Sequence, residues 1–172
     1  MQGNGGTGPP ARMETIMTTT SIERDEAAAN AVRRHHEHLM SELEQLVADM
    51  ADAVEQSSGF ERPKANIVTW ARAVLAPHAA GEERTLYRAA AETEAGRLLI
   101  TGMVAEHGVI LGLVDELEAS TDPAVAAAWA EALHRVFTSH AAKENDLVLP
   151  LLVSDPEINV AELLEDLHEE AH

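Results

Sequence analysis

The sequence has no cysteine in its 172 residues. That absence excludes disulfides, thiolate-bound zinc or iron–sulfur clusters, and thiol nucleophiles. Bases are scarce too: Lys+Arg 12 stand against Asp+Glu 30, a formal net charge of -18. Such a carboxylate excess lacks the basic surface a nucleic acid requires, and it disfavours docking on an anionic membrane. Aromatic residues make up only 3% of the chain, although hydrophobic residues reach 45%. No run approaches the ~20 apolar residues of a membrane span. The first twenty residues, MQGNGGTGPPARMETIMTTT, lack a charged region leading into an apolar one, so they do not read as a signal peptide. Residues 1–20 are expected to form a disordered tail, and the expected address is the cytoplasm. The length suits one domain with a sizeable core. What the chain does have is His 9. Without thiolates, any metal ion must be held by His, Asp or Glu.

From Ser21 onward the sequence is rich in Ala, Leu and Glu, with apolar residues recurring at three and four. That is the helical period, and strand-like alternation is absent. A first helical segment spans about 21–54, with Val32, Leu39, Met40, Leu43, Leu46, Val47 and Met50 on one face, and Ser57-Ser58-Gly59 ends it. A second starts near Pro63, a first-turn proline, and runs to about Glu92. A third runs from about Glu94 to Ala119, where glycines at 96, 102, 108 and 112 mark candidate close contacts. Thr121-Asp122-Pro123 caps a fourth, whose expected buried residues include Val125, Trp129, Leu133, Val136, Phe137, Leu147 and Leu151. Ser154-Asp155-Pro156-Glu157 has capping-box spacing and is expected to launch a short acidic segment over 155–172. The fold class is therefore all-α: an antiparallel up-down four-helix bundle over 21–154 with a short extra C-terminal helix.

Two pairs of sequences repeat. In HHEHLMSELEQL and EHGVILGLVDEL, aligning His36 with His107 places apolar residues at +3, +4, +7 and +10 in both. On a helix those offsets share the histidine's face, so both imidazoles point into the core. In HAAGEERTLYR and HAAKENDLVLP, His78 and His140 each precede a glutamate by four, Glu82 and Glu144. Four residues turn a helix about 400°, so each pair shares one side. The order is His, His-x-x-x-Glu, His, His-x-x-x-Glu, one element per long segment. A lone core histidine is usually a hydrogen-bonded structural residue, and a lone His/Glu pair is common on surfaces. Four imidazoles and two carboxylates buried together would leave several unpaired polar groups, each costing about 1–3 kcal/mol. A bound ion removes that penalty.

This constellation resembles the hemerythrin-like (HHE cation-binding) family of non-heme diiron proteins, over roughly Ile22 to Val153. The resemblance rests on His36, His78, Glu82, His107, His140 and Glu144, plus the Leu-Pro-Leu-Leu at 149–152. It implies a four-helix bundle holding two Fe ions bridged by two carboxylates and an oxo or hydroxo group. O2-carrying members have a second histidine four residues after the third-helix histidine and an aspartate five after the fourth; here those places hold Leu111 and Asn145. Such an iron pair needs about twelve donor positions. Four imidazoles, two bridging carboxylates and a bridging oxygen fill about ten. The open positions favour O2 or hydrogen peroxide as the ligand, with Mn or Zn as possible substitutes for iron.

Several neighbours carry alternatives. His35, Glu37 and His38 flank His36 and read as surface residues, with His35 the substitute ligand if the register differs. Glu83 and Glu106 are either acceptors for a ligand N–H or solvated acids. His134, His168 and His172 read as exposed. Pro77 either bends the second helix to set the angle of His78 or marks where a helix begins. Tyr87 falls roughly opposite His78 on a continuous helix and is not nominated; no catalytic residue is. Functions compatible with the pattern are a sensor, scavenger or catalase-like protein of O2 or peroxide chemistry. Alternatives are an iron- or oxygen-responsive module acting through a protein partner at the acidic C-terminal segment, a diiron oxygenase or oxidase of a small organic substrate, and an apo structural bundle.

Overall fold

A computed structural model describes residues 11–57 and 59–169, with side chains described over 21–57 and 59–165. Among the described residues there are helices and no strands. Helix α1 spans Ala11–Glu55. The Gly and Pro residues of the N-terminal segment all precede Ala11, so residues 11–20, expected as tail, belong to α1, while 1–10 lie outside the described residues. Ser57 and Gly59 then take positive φ, 52° and 95°, and turn the chain out of the helix.

The second segment is not one continuous helix. It comprises α2 (Glu61–Trp70), a π-helical turn (Ala71–Leu75), α3 (Ala76–Arg84) and α4 (Leu86–Glu92). Pro77 has no N–H to give. The π turn precedes it, with the Ala76 N–H bonding to the Ala71 carbonyl, so the chain runs on through the proline rather than starting there. Thr85 then breaks the helix outright, at φ -114° and ψ -87°, its hydroxyl bonded to the Gly81 carbonyl.

Helix α5 spans Gly96–Ala119 and α6 spans Pro123–Lys143. Gly96 is required: a Cβ there would meet the Ala90 carbonyl oxygen at 2.0 Å, whereas Gly102, Gly108 and Gly112 face open space. The Asp122 carboxylate caps α6, accepting from the N–H groups of Ala124 and Val125. A second π turn, Glu144–Val148, leads into α7 (Leu149–Ser154), again with a proline, Pro150, just beyond it. The final helix, α8 (Val160–Glu169), starts later than its sequence signal. Asp155 accepts from Glu157 in a local turn, and Asn159 with the buried Asp25 of α1 caps the helix instead.

Helix α5 is, by length and composition alone, apolar enough to cross a membrane, contrary to the expectation that no run qualifies. In the fold it packs on α6 and α4 and buries His107 among Met103, Ile110 and Val114. Val125 and Leu147, expected in the core, are exposed; Ala126 and Val148 take the inward places beside them.

Two apolar clusters fill the interior. One contains Leu39 to Met50, Ile67 to Leu75, Ile110 to Leu117 and Ala126 to Phe137; the other contains Ala28 to Val32, Leu86 to Ala90, Ile100, Met103 and Val148 to Leu152. Each of the four helical runs contributes to both. The buried polar residues His36, Glu82, His107, His140 and Glu144 fall, in every run, between its contributions to the two clusters.

Candidate metal centre

The polar layer between the clusters is where the helical registers converge. His36 lies between Val32 and Leu39, His107 between Met103 and Ile110, and His140 with Glu144 between Phe137 and Val148. His78 and Glu82 lie between Leu75 and Leu86, so all six sequence candidates meet in one layer.

Two overlapping groups of potential ligand atoms form. His36, His78 and Glu82 make one; Glu82, His107, His140 and Glu144 make the other. Nε2 of His36 is 3.2 Å from Glu82 Oε1 and 3.5 Å from Glu144 Oε2. Nε2 of His78 is 3.1 Å from Glu82 Oε1, and Nε2 of His107 is 3.7 Å from Glu82 Oε2. Nε2 of His140 is 3.5 Å from Glu144 Oε1. Every imidazole thus presents the same nitrogen inward.

Three of the four outward nitrogens have partners. Nδ1 of His107 meets Glu83 Oε1 at 2.8 Å, and Nδ1 of His140 meets Glu106 Oε2 at 3.1 Å. Glu106 also holds Lys143. Of the two readings open for Glu83 and Glu106, both carboxylates therefore sit on imidazoles. Nδ1 of His36 meets Asn145 Oδ1 at 2.9 Å. His35 is exposed and outside both groups, though its ring lies edge-on to His78. His38 is exposed beside Glu42, and His134 is half-buried rather than exposed. The side chains of His168 and His172 lie outside the described residues.

Tyr87 is the residue that sequence reasoning missed. It is 2% exposed, its hydroxyl donates to Glu144 Oε1 at 2.5 Å, and Oη lies 3.1 Å from His140 Nε2. Its ring stacks on His107 with centroids 5.3 Å apart and planes 7° from parallel. The break at Thr85 resets the helical phase after His78, so a count along one continuous helix misplaces Tyr87. Asn145 is the other omission. The π turn beginning at Glu144 widens the helix, and the residue after the glutamate reaches His36. The sequence signals were its position directly behind Glu144 and its standing where the resemblance expects an aspartate.

The electrostatics follow from burying imidazoles and carboxylates against one another. Burial alone would lower the His36 pKa, but the Glu82 and Glu144 carboxylates push it up to about 9. Burial would raise the Glu82 carboxyl, yet His78 and His36 hold it far below the usual carboxylate range. His140 is likewise raised against burial, mainly by Glu144. Burial, reinforced by Glu144 and Glu82, pushes the Tyr87 phenol well above its ordinary value, so it stays protonated. Despite these contacts, His78 Nε2, Glu82 Oε2 and Glu144 Oε2 are buried without a hydrogen-bond partner. Three orphaned polar atoms, each costing about 1–3 kcal/mol, all face the same centre. Nitrogen and carboxylate donors without thiolate suit Fe, Mn or Zn, so the donor set fits a metal.

A cavity of about 10 Å3, room for about one water-sized molecule, adjoins this centre. His78, Glu82, His107 and His140 form its polar wall; Leu75, Ala79, Ile110, Leu111 and Phe137 form the apolar one. Leu111, in this apolar wall, is the place where the resemblance expects a second histidine in O2 carriers.

Residues 27–152, most of the chain, match the family described as the hemerythrin HHE cation binding domain. No curated protein and no solved structure shows a significant match.

Proposed function

Because this chain belongs to the hemerythrin HHE cation-binding family, we propose that its centre holds two iron ions and binds or reacts with O2 or hydrogen peroxide. The observation that carries this reading is the sharing of carboxylates. Glu82 belongs to both ligand groups, and Glu144, a member of one, reaches within 3.5 Å of His36 in the other. Glu82 and Glu144 would therefore be shared between the two ions. His36 and His78 would serve one ion, and His107 and His140 the other. Manganese or zinc would accept the same donors. When bound, iron held by these residues would supply electron transfer with a small oxidant.

The chain's own residues prepare that chemistry. Asn145, Glu83 and Glu106 each engage an Nδ1, which fixes the ring and directs Nε2 inward. Tyr87 keeps a proton at Oη inside the layer, beside Glu144, where reduction of an oxidant consumes protons. The apolar wall of the small cavity excludes bulk water and leaves room for about one water-sized molecule. That size favours a small oxidant over an organic substrate.

The arrangement best suited to this centre is an antiparallel up-down four-helix bundle over 21–154 with α8 as the extra element. Its support is alternation: each successive run meets the two apolar clusters in the reverse order of the run before. Partner signalling is a second reading. Val160 is fully buried, and Leu163 and Leu164 pack on the α1–α4 side, leaving Glu162 and Glu165 outward as an acidic contact face.

The test of the main reading is anaerobic loading with ferrous iron, then addition of O2 or H2O2. New charge-transfer absorption, with oxygen evolution from peroxide if the protein is catalase-like, is expected. A loaded protein with no spectral change toward either oxidant would refute it.

A further inference from the structure

Three of the four inward-facing imidazoles are held from behind by Asn145, Glu83 and Glu106. His78 has no such acceptor on Nδ1 among the described residues, and its Nε2 is one of the orphaned buried atoms. It is also the least enclosed of the four: its side chain is 8% exposed, against 0% for His36 and 1% for His140. The backbone beneath it is irregular. The π turn and Pro77 precede it, and the break at Thr85 follows within seven residues.

Two consecutive residues of α1 touch the His78 ring. His36 meets it from inside the centre, with centroids 5.4 Å apart and planes at 81°. His35 meets it from the solvent side, at 5.1 Å and 63°. Adjacent positions on a helix are rotated by about 100°, so one histidine faces the layer while the other stays exposed. An ion about 2.1 Å from each of two imidazole nitrogens holds their ring centroids about 5 Å apart, the spacing found between His35 and His78.

We propose that His35 is a relay ligand through which a divalent cation passes between solvent and the His36–His78–Glu82 subsite, making that subsite the exchangeable one of the two. This rests on the two-ion reading above. The second subsite is built from Glu82, His107, His140 and Glu144, all buried, with both imidazoles pinned and Tyr87 against Glu144. The partly exposed donors beside it, Glu83 and Glu106, are engaged with the outward Nδ1 atoms of His107 and His140, so its ion is retained.

The experiment loads the full-length chain with Co(II), removes free metal and adds excess chelator while recording Co(II) absorption and metal content. Wild-type protein releases one ion per chain quickly and the second slowly. His35→Phe keeps a ring against His78 but has no donor; it slows the fast release and the matching uptake phase several-fold, with two ions bound at equilibrium. His35→Asp, which restores a donor, recovers the rate. Single-phase release, or wild-type exchange in His35→Phe, overturns the relay. So does a fall to one ion per chain in His35→Phe, which would make His35 a resident ligand. A wild-type chain that binds fewer than two ions refutes the two-ion centre itself, and the relay with it.

Discussion

Removing the Tyr87 hydroxyl should destabilise the metal-free protein much more than the metal-loaded protein. The hydroxyl donates to Glu144 Oε1 at 2.5 Å in a layer where Tyr87 is 2% and Glu144 3% exposed. A hydrogen bond to a buried charge contributes about 1.5–3 kcal/mol. Phenylalanine preserves the near-parallel stack on His107, so the loss in Tyr87→Phe belongs to Oη. A loss of about 2 kcal/mol in a chain of this length lowers Tm by roughly 4–8 °C. With cations bound, the Glu144 charge is met by metal, and the missing donor no longer strands an oxygen. The drop should then shrink to less than half. Thermal unfolding of wild type and Tyr87→Phe, each stripped and each loaded at pH 7, measures both differences. An equal drop in the two forms would show that Glu144 does not engage the ion. No drop in the stripped form would show that the Tyr87–Glu144 bond contributes nothing to stability.

His107→Ala and Glu144→Ala should each lose bound metal and lower Tm, because each also strands a buried partner, whereas His38→Ala, at a side chain 68% exposed, should change neither; metal content after desalting decides. Glu83→Gln and Glu106→Gln should weaken metal affinity by about 10–100-fold without abolishing the fold, as read by competition with a chromophoric chelator. The pH dependence has a defined sign. His36 titrates near 6.5 when unfolded and at about 9 in the metal-free fold, so its contribution is fully present below pH 6.5 and is lost as pH rises through 9. Urea unfolding of stripped protein should therefore show roughly 3 kcal/mol less stability from this group above pH 9 than below 6.5. The same proton must leave when an ion takes Nε2, so metal uptake at pH 7 should release protons to buffer.

The six central residues were legible in the sequence because their signal is helical phase within short, regular stretches. His36 and His107 share their offsets to apolar residues, and each His/Glu pair needs only one turn of helix to be correct. What was not legible lies beyond the points where that phase breaks. Tyr87 follows the distortion at Thr85, and Asn145 sits in a π turn, so an ideal 100° rotation misplaces both. Leu147 fails for the same reason, losing the inward position to Val148 inside that turn. Pro77 and Pro150 were visible as prolines in helical sequence, but a π turn ahead of each is an i→i+5 hydrogen-bond arrangement that residue periodicity does not encode. Asn159 caps α8 locally, but the other half of that cap could not be read locally, since Asp25 and Ala161 are far apart in the chain.

The most direct test is an anaerobic titration of stripped protein with ferrous iron, followed by desalting and metal analysis. Two irons retained per chain, with the second lost in Glu82→Ala, is the expected result. Retention of a single iron, or two irons unaffected by Glu82→Ala, would contradict a carboxylate-bridged pair between the two apolar clusters.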